Sequence, residues 1–267
     1  MKQIRDFAAG RIRAESRDGV GLLVIDNPER KNAVTAAMWR AIPDAVHWLC
    51  GEAGARAIVL SGAGERDFSA GADISEFPIV RKDTATARLY EADNSAAFTA
   101  VREARVPVIA AIRGICYGGG FGLAAACDLR IADDTAAFAV PAARLGLAYP
   151  ADAVQDFARS LGDQMARKVL YTGAAMRAAE LLARGFLLDV TAPDTLDDRV
   201  MLLAETIATN APLSVQASKL ALRAVAEVDD DLLREAEVVG ASTFDSADYA
   251  EGRRAFAEKR RPAFTGE

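Results

Sequence analysis

The 267-residue chain has one histidine, His47, and three cysteines, Cys50, Cys116 and Cys127, with no His or Cys cluster at metal-ligand spacing. That excludes the common zinc and iron–sulfur frameworks, so no metal is expected. An odd number of unclustered cysteines suits a reducing compartment rather than a disulfide scaffold. Long apolar runs are missing too. The longest uncharged stretch, Gly114 to Cys127, is 14 residues and rich in glycine, too short to cross a bilayer. The N-terminal "MKQIRDFAAGRIRAES" is broken by charges and lacks the apolar segment of a signal peptide. No run of Lys or Arg is longer than Lys259-Arg260-Arg261, and the net charge is −6. Nucleic acid is therefore not expected as a partner, and the expectation is a soluble, cytoplasmic protein.

What is present suits a sizeable core: 51% of residues are hydrophobic and 26% charged. "IRAESRDGVGLLVIDNP" reads as a hairpin turning at Asp18-Gly19. "TAAMWRAIPDAVHWLC" has helical spacing, with Thr35 as N-cap and Pro43 expected to disturb it. Strand-like "RAIVLSGAG" and "PVIAAIRG" flank helix-like "RLYEADNSAAFTAVREA", and "DLRIADDTAAFAVP" reads as two short strands. Alternation of strand and helix predicts an α/β core with largely parallel strands. From about Ala151 onward nearly every segment has helical period. A boundary is expected at "LLDVTAPDTLDD", giving a core over 1–190 and a helical region over 191–267 whose apolar faces must be buried within the subunit or against a neighbour.

Two loops stand out. "DFSAGADISEF" (67–77) and "GICYGGGFGLA" (114–124) each follow a strand, carry small residues and lead into a helix. Unsatisfied backbone N–H groups at such turns can bind anions, and two of them on one oxygen would form an oxyanion hole. Either loop alone could equally serve only to turn the chain.

Taken together, "NPERKNAVT", "FSAGADI", "VPVIAAIRGICYGGGFGLAAACDLRIA", "FAVPAARLGL" and "SADYAEGRRAFAEKRRPAF" resemble the enoyl-CoA hydratase/isomerase (crotonase) family over nearly the whole chain. The resemblance implies a spiral of ββα units with a helical C-terminal trimerisation region, assembled as trimers or paired trimers. It also implies a coenzyme A thioester as substrate, with no cofactor beyond that coenzyme A moiety. The thioester oxygen would sit between two backbone N–H groups, which fall on Ala72 and Gly119. Coenzyme A contacts would fall on Ala70, Asp73 and Ile74, with Arg66 and Lys31 near its phosphates. For Arg66 and Lys31 a solvated surface charge is an equal alternative, and Asp73 also reads as a residue fixing its loop.

Hydratases of the family add water with two glutamates, one as base and one as acid. The matching positions here are Gly122 and Ala142, and the acid position of the isomerases falls near Pro150. Tyr149 matches a tyrosine of the family's decarboxylases, in which loss of CO2 itself creates the enolate. It could equally line the acyl pocket. Asp152 is a further candidate, otherwise a helix N-cap. Three readings follow: a decarboxylase-like or other enolate-stabilising enzyme, a hydratase or isomerase with substitute groups, and a thioester-binding protein without activity. His47 and Cys116 read as structural, and Arg144, beside the vacant position at Ala142, reads as a surface or interface salt bridge or else a partner for a substrate carboxylate.

Overall fold

The computed structural model describes residues 2–267. Asp18 and Gly19 both adopt positive φ, 52° and 83°, as the tight hairpin turn requires. They join β2 (Ile12–Arg17) to β3 (Val20–Ile25), and β1 (Gln3–Phe7) pairs antiparallel along the outer edge. From β3 the sheet continues in parallel through β4 (Ala57–Gly62), β5 (Val108–Ile112), β7 (Leu129–Asp133) and β10 (Asp189–Thr191). Every residue of β5 is buried, as a central strand covered on both faces requires. A second sheet has β8 (Ala137–Ala139) between β6 (Ile115–Tyr117) and β9 (Met176–Arg177).

One face of the main sheet is covered by α1 (Ala36–Cys50), on which α3 (Thr84–Arg102) packs, with the short α2 (Phe77–Val80) leading into α3. Thr35 caps α1 by accepting from Met38 N–H at 3.3 Å. The disturbance expected at Pro43 does not end the helix, for α1 runs through it. A mid-helix proline costs about 3 kcal/mol. Trp39, Ile42, Val46 and Leu49 are all buried along one stripe, and each such burial returns about 1.5–3 kcal/mol.

Beyond α4 (Gly119–Ala126), the chain forms α5 (Ala151–Leu161), α6 (Asp163–Thr172) and α7 (Ala178–Leu182) around the smaller sheet. The helical period expected from Ala151 onward is interrupted by β9 and β10, strands too short to show a periodicity of their own. Past β10, α8 (Leu196–Ala208) lies on the sheet's opposite face. Leu196, Val200, Ala204 and Ala208, four residues apart, pack on Val59, Ile109, Ala111 and Ile131. Then α9 (Pro212–Glu227) and α10 (Asp230–Ser242) pack on each other, followed by α11 (Ala247–Glu258). The C-terminal segment is clasped to α11. Asp248 accepts from the N–H groups of Thr265 and Gly266, and Glu251 from that of Ala263, at 2.7, 3.0 and 3.0 Å. No helix of the described residues is long and apolar enough to cross a membrane.

Candidate active site

The two loops meet. Ser69 N–H donates to Ile115 C=O and Tyr117 N–H to Ser69 C=O, both at 2.9 Å. Glycines permit the approach: a Cβ on Gly71 would lie 2.6 Å from Tyr117 O, and one on Gly120 2.6 Å from Ser69 O. On the other side Val34 N–H donates to Gly71 C=O at 2.7 Å and Asp73 N–H to Val34 C=O at 2.9 Å. Ala72 is thereby fixed with its own N–H unused. Gly118, at φ 49° and ψ −121°, turns the chain into α4, leaving Gly119 as the first helical residue. Neither Ala72 N–H nor Gly119 N–H has an acceptor among the described residues.

Both residues line a cavity of about 110 Å³, shared with Trp39, Ala70, Ile74, Phe98, Ala142 and Tyr149. The two N–H donors beside it have the makings of an oxyanion hole. Its titratable lining consists of Arg81, Glu91 and Tyr149 alone. Tyr149 hydroxyl donates to Gly118 C=O at 2.9 Å. Burial pushes the phenol well above its ordinary range, and nearby Cys116 and Glu91 add to the shift, so it stays protonated at neutral pH. Its ring packs on Phe157 with centroids 5.5 Å apart. Tyr149 also explains Gly122. A Cβ there would lie 2.6 Å from the Tyr149 hydroxyl oxygen and 2.8 Å from the Phe98 ring. The tyrosine therefore occupies the space into which a side chain at 122 would project.

Other expected site residues sit differently. Ala70 and Ile74 line the cavity, and Ala70 N–H donates to Lys31 C=O at 2.9 Å. Lys31 and Arg66 are exposed on the surface outside the lining. Asp73 is buried behind its loop, accepting from Ser75 N–H at 3.0 Å and pairing with Arg30 at 3.2 Å. Burial raises its carboxyl, but the Ser75 hydrogen bonds and Arg30 outweigh that and hold it below its usual value. Asp152 is not the N-cap of α5: Pro150 takes that position, and Asp152 accepts from Ser95 hydroxyl at 3.1 Å outside the cavity lining. Cys116 is fully buried, and desolvation pushes its thiol up, so it is inert. His47 is exposed on α1, and Arg144 donates to Thr172 C=O at 3.1 Å. Neither lines the cavity.

Two lining residues were not singled out from sequence: Arg81, just after α2, and Glu91 on α3. Arg81 pairs with Glu91 at 2.5 Å, lies over the rings of Phe77 and Tyr90, and keeps its Nε buried without a partner. The available signal was the spacing of Glu91, Asn94 and Phe98, which shares one helix face and which the cavity lining follows. A larger cavity of about 770 Å³ lies between α9 and the core. Most of its cations are paired with acids, Arg102 and Arg159 with Asp156, Lys219 with Asp128 and Arg223 with Glu227, while Arg130 donates to the backbone carbonyls of Cys127 and Phe186.

Comparison with known proteins gives the family. The family model for enoyl-CoA hydratase/isomerase matches residues 15–267. A short-chain-enoyl-CoA hydratase of Clostridium acetobutylicum is 31% identical over 92% of this chain and 94% of its own. An (E)-benzylidenesuccinyl-CoA hydratase of Thauera aromatica is 32% identical over 94% and 98%. The crystal structure of an enoyl-CoA hydratase/isomerase family protein from Hyphomonas neptunium superposes with a TM-score of 0.91 at 33% identity, covering 96% of this chain and 98% of that one. With that match across almost its full length, the chain belongs to the enoyl-CoA hydratase/isomerase family and carries the crotonase fold.

Proposed function

We propose that this family member is an acyl-CoA enzyme that holds a thioester oxygen on the Ala72 and Gly119 N–H groups and stabilises the enolate formed there. Decarboxylation of a malonyl-type thioester is the reaction the site suits best. Breaking the bond to CO2 leaves its electron pair on the α-carbon, and conjugation moves that charge onto the thioester oxygen, where preorganised N–H donors lower the barrier. No base is needed for that step. The observation carrying this reading is Tyr149, whose hydroxyl stands against Gly122 where a hydratase of the family would carry a carboxylate. The phenol is neutral, and by turning its O–H from Gly118 C=O to the departing carboxylate it would orient that group.

Ala70, Asp73 and Ile74 would flank the coenzyme A chain, Asp73 by fixing the loop, with Lys31 and Arg66 available at the surface for its phosphates. Asp152 would act through its field on Tyr149. Exposed Leu222, Val225, Val238, Phe244 and Phe256 on and around the C-terminal helices support burial against further copies, as a homotrimer or dimer of trimers over 191–267. Sedimentation velocity separates those states from a monomer. Three free cysteines fit a reducing, cytoplasmic setting.

The experiment follows CO2 release from malonyl-CoA and methylmalonyl-CoA, with the shortened acyl-CoA as product. A cavity of about 110 Å³ is well below the 300–1,000 Å³ or so of drug-sized pockets, so turnover should fall steeply as the α-substituent lengthens beyond a few carbons. Tyr149→Phe should lower kcat about 100-fold with little change in KM. Intact thioester throughout, or undiminished turnover by the phenylalanine variant, contradicts the proposal. The hydratases among the relatives favour a second reading, water addition, for which the cavity offers one carboxylate in place of two.

A further inference from the structure

Among the titratable groups lining the cavity, each has a different capacity to move a proton. Arg81 offers only N–H donors and has no acceptor atom for a proton. Tyr149 is held protonated, with its hydrogen already given to Gly118 C=O. Glu91 is the one carboxyl among them, a group that can both release and regain a proton. Its carboxyl has Arg81 as its sole ion-pair partner, and no other hydrogen bond to it is made among the described residues. Its side chain is 33% exposed, so it can exchange protons with water. It shares a small cavity with Ala72, Gly119 and Tyr149.

We propose that Glu91 is a catalytic residue: it delivers the proton to the α-carbon of the enolate held on Ala72 and Gly119 N–H. This rests on the enolate reading above. In that step the Glu91 O–H bond breaks and its proton forms the new C–H bond. The enolate's electron pair re-forms the thioester carbonyl, and the carboxylate left behind is reprotonated from solvent. Arg81 orients the carboxyl and stabilises the carboxylate produced. The electrostatics agree in direction. Burial raises the Glu91 carboxyl and Asp152, from α5, adds to this, while Arg81 opposes it. The net effect brings it closer to the pH at which an acid transfers protons efficiently.

A group that protonates the α-carbon must, in reverse, remove an α-proton from the product thioester, so the test requires no knowledge of the natural substrate. Butyryl-CoA in D2O is followed by proton NMR for loss of its α-hydrogens. Wild type should exchange them, and Glu91→Gln, which keeps an oxygen for Arg81, should do so at least about 100-fold more slowly with the Kd for butyryl-CoA within about twofold. Exchange requires the carboxylate, so the wild-type rate should fall as pH drops through the raised Glu91 value, and that limb should vanish in Glu91→Gln. Glu91→Asp should retain an intermediate rate, which separates chemistry from a folding defect. Exchange by Glu91→Gln at the wild-type rate overturns the assignment, as does wild type that binds butyryl-CoA without exchanging it. Failure of wild type to bind butyryl-CoA instead defeats the enolate reading itself, and the assignment with it.

Discussion

Gly122→Ala should lower the midpoint of thermal unfolding by about 4–8 °C, a large effect for a single methyl group. The added Cβ would sit 2.6 Å from Tyr149 hydroxyl oxygen and 2.8–2.9 Å from two Phe98 ring carbons. Phe98 is 2% exposed, and Tyr149 is tied to Gly118 and packed on Phe157, so neither can simply turn aside. Overpacking costs typically about 1–3 kcal/mol. Taking the upper end and returning roughly 1 kcal/mol for better helix propensity leaves about 2 kcal/mol, which gives that shift for a chain of this size. The effect should be coupled to the tyrosine: in a Tyr149→Phe background the closest atom is gone and the penalty of Gly122→Ala should shrink. Gly122→Glu should be far worse, since it adds an unpaired carboxylate among aromatic rings. Scanning calorimetry on the three variants measures this. An alanine at 122 that melts with wild type would show that Tyr149 does not hold that space.

The same pair of residues shows how far the sequence could be read. A tight turn at Asp18-Gly19 and a cap at Thr35 depend on neighbours in the chain, and both form as expected. The two glycine-bearing loops were legible because close backbone approach leaves small residues in its wake, and their family pattern gave them an order. The absence of carboxylates at Gly122 and Ala142 was equally visible. What fills the absence was not. Tyr149 reaches Gly122 only because the segment before α5 folds over the start of α4, and no local pattern encodes that. Glu91 and Arg81 were missed for a similar reason. On α3 a charged residue reads as solvated face until Phe77 and Tyr90 cover the arginine. Pro43 misled because the local rule counts one lost hydrogen bond and cannot weigh the buried stripe beneath it.

Water addition is where the account makes its sharpest demand. Hydration of an enoyl thioester needs one group to take a proton from water and another to give a proton to the α-carbon. The cavity holds a single carboxylate, Glu91, and burial keeps its one phenol, Tyr149, protonated and so unable to take a proton from water. Removing one such group typically costs about 10²–10⁴ in rate, and here both positions of the usual pair are empty. The most direct measurement is therefore crotonyl-CoA hydration, followed by loss of the enoyl-thioester absorbance, side by side with the hydratase of Clostridium acetobutylicum. The account predicts a rate lower by at least about 10³-fold, with crotonyl-CoA still bound. A rate within a few-fold of that relative would contradict it.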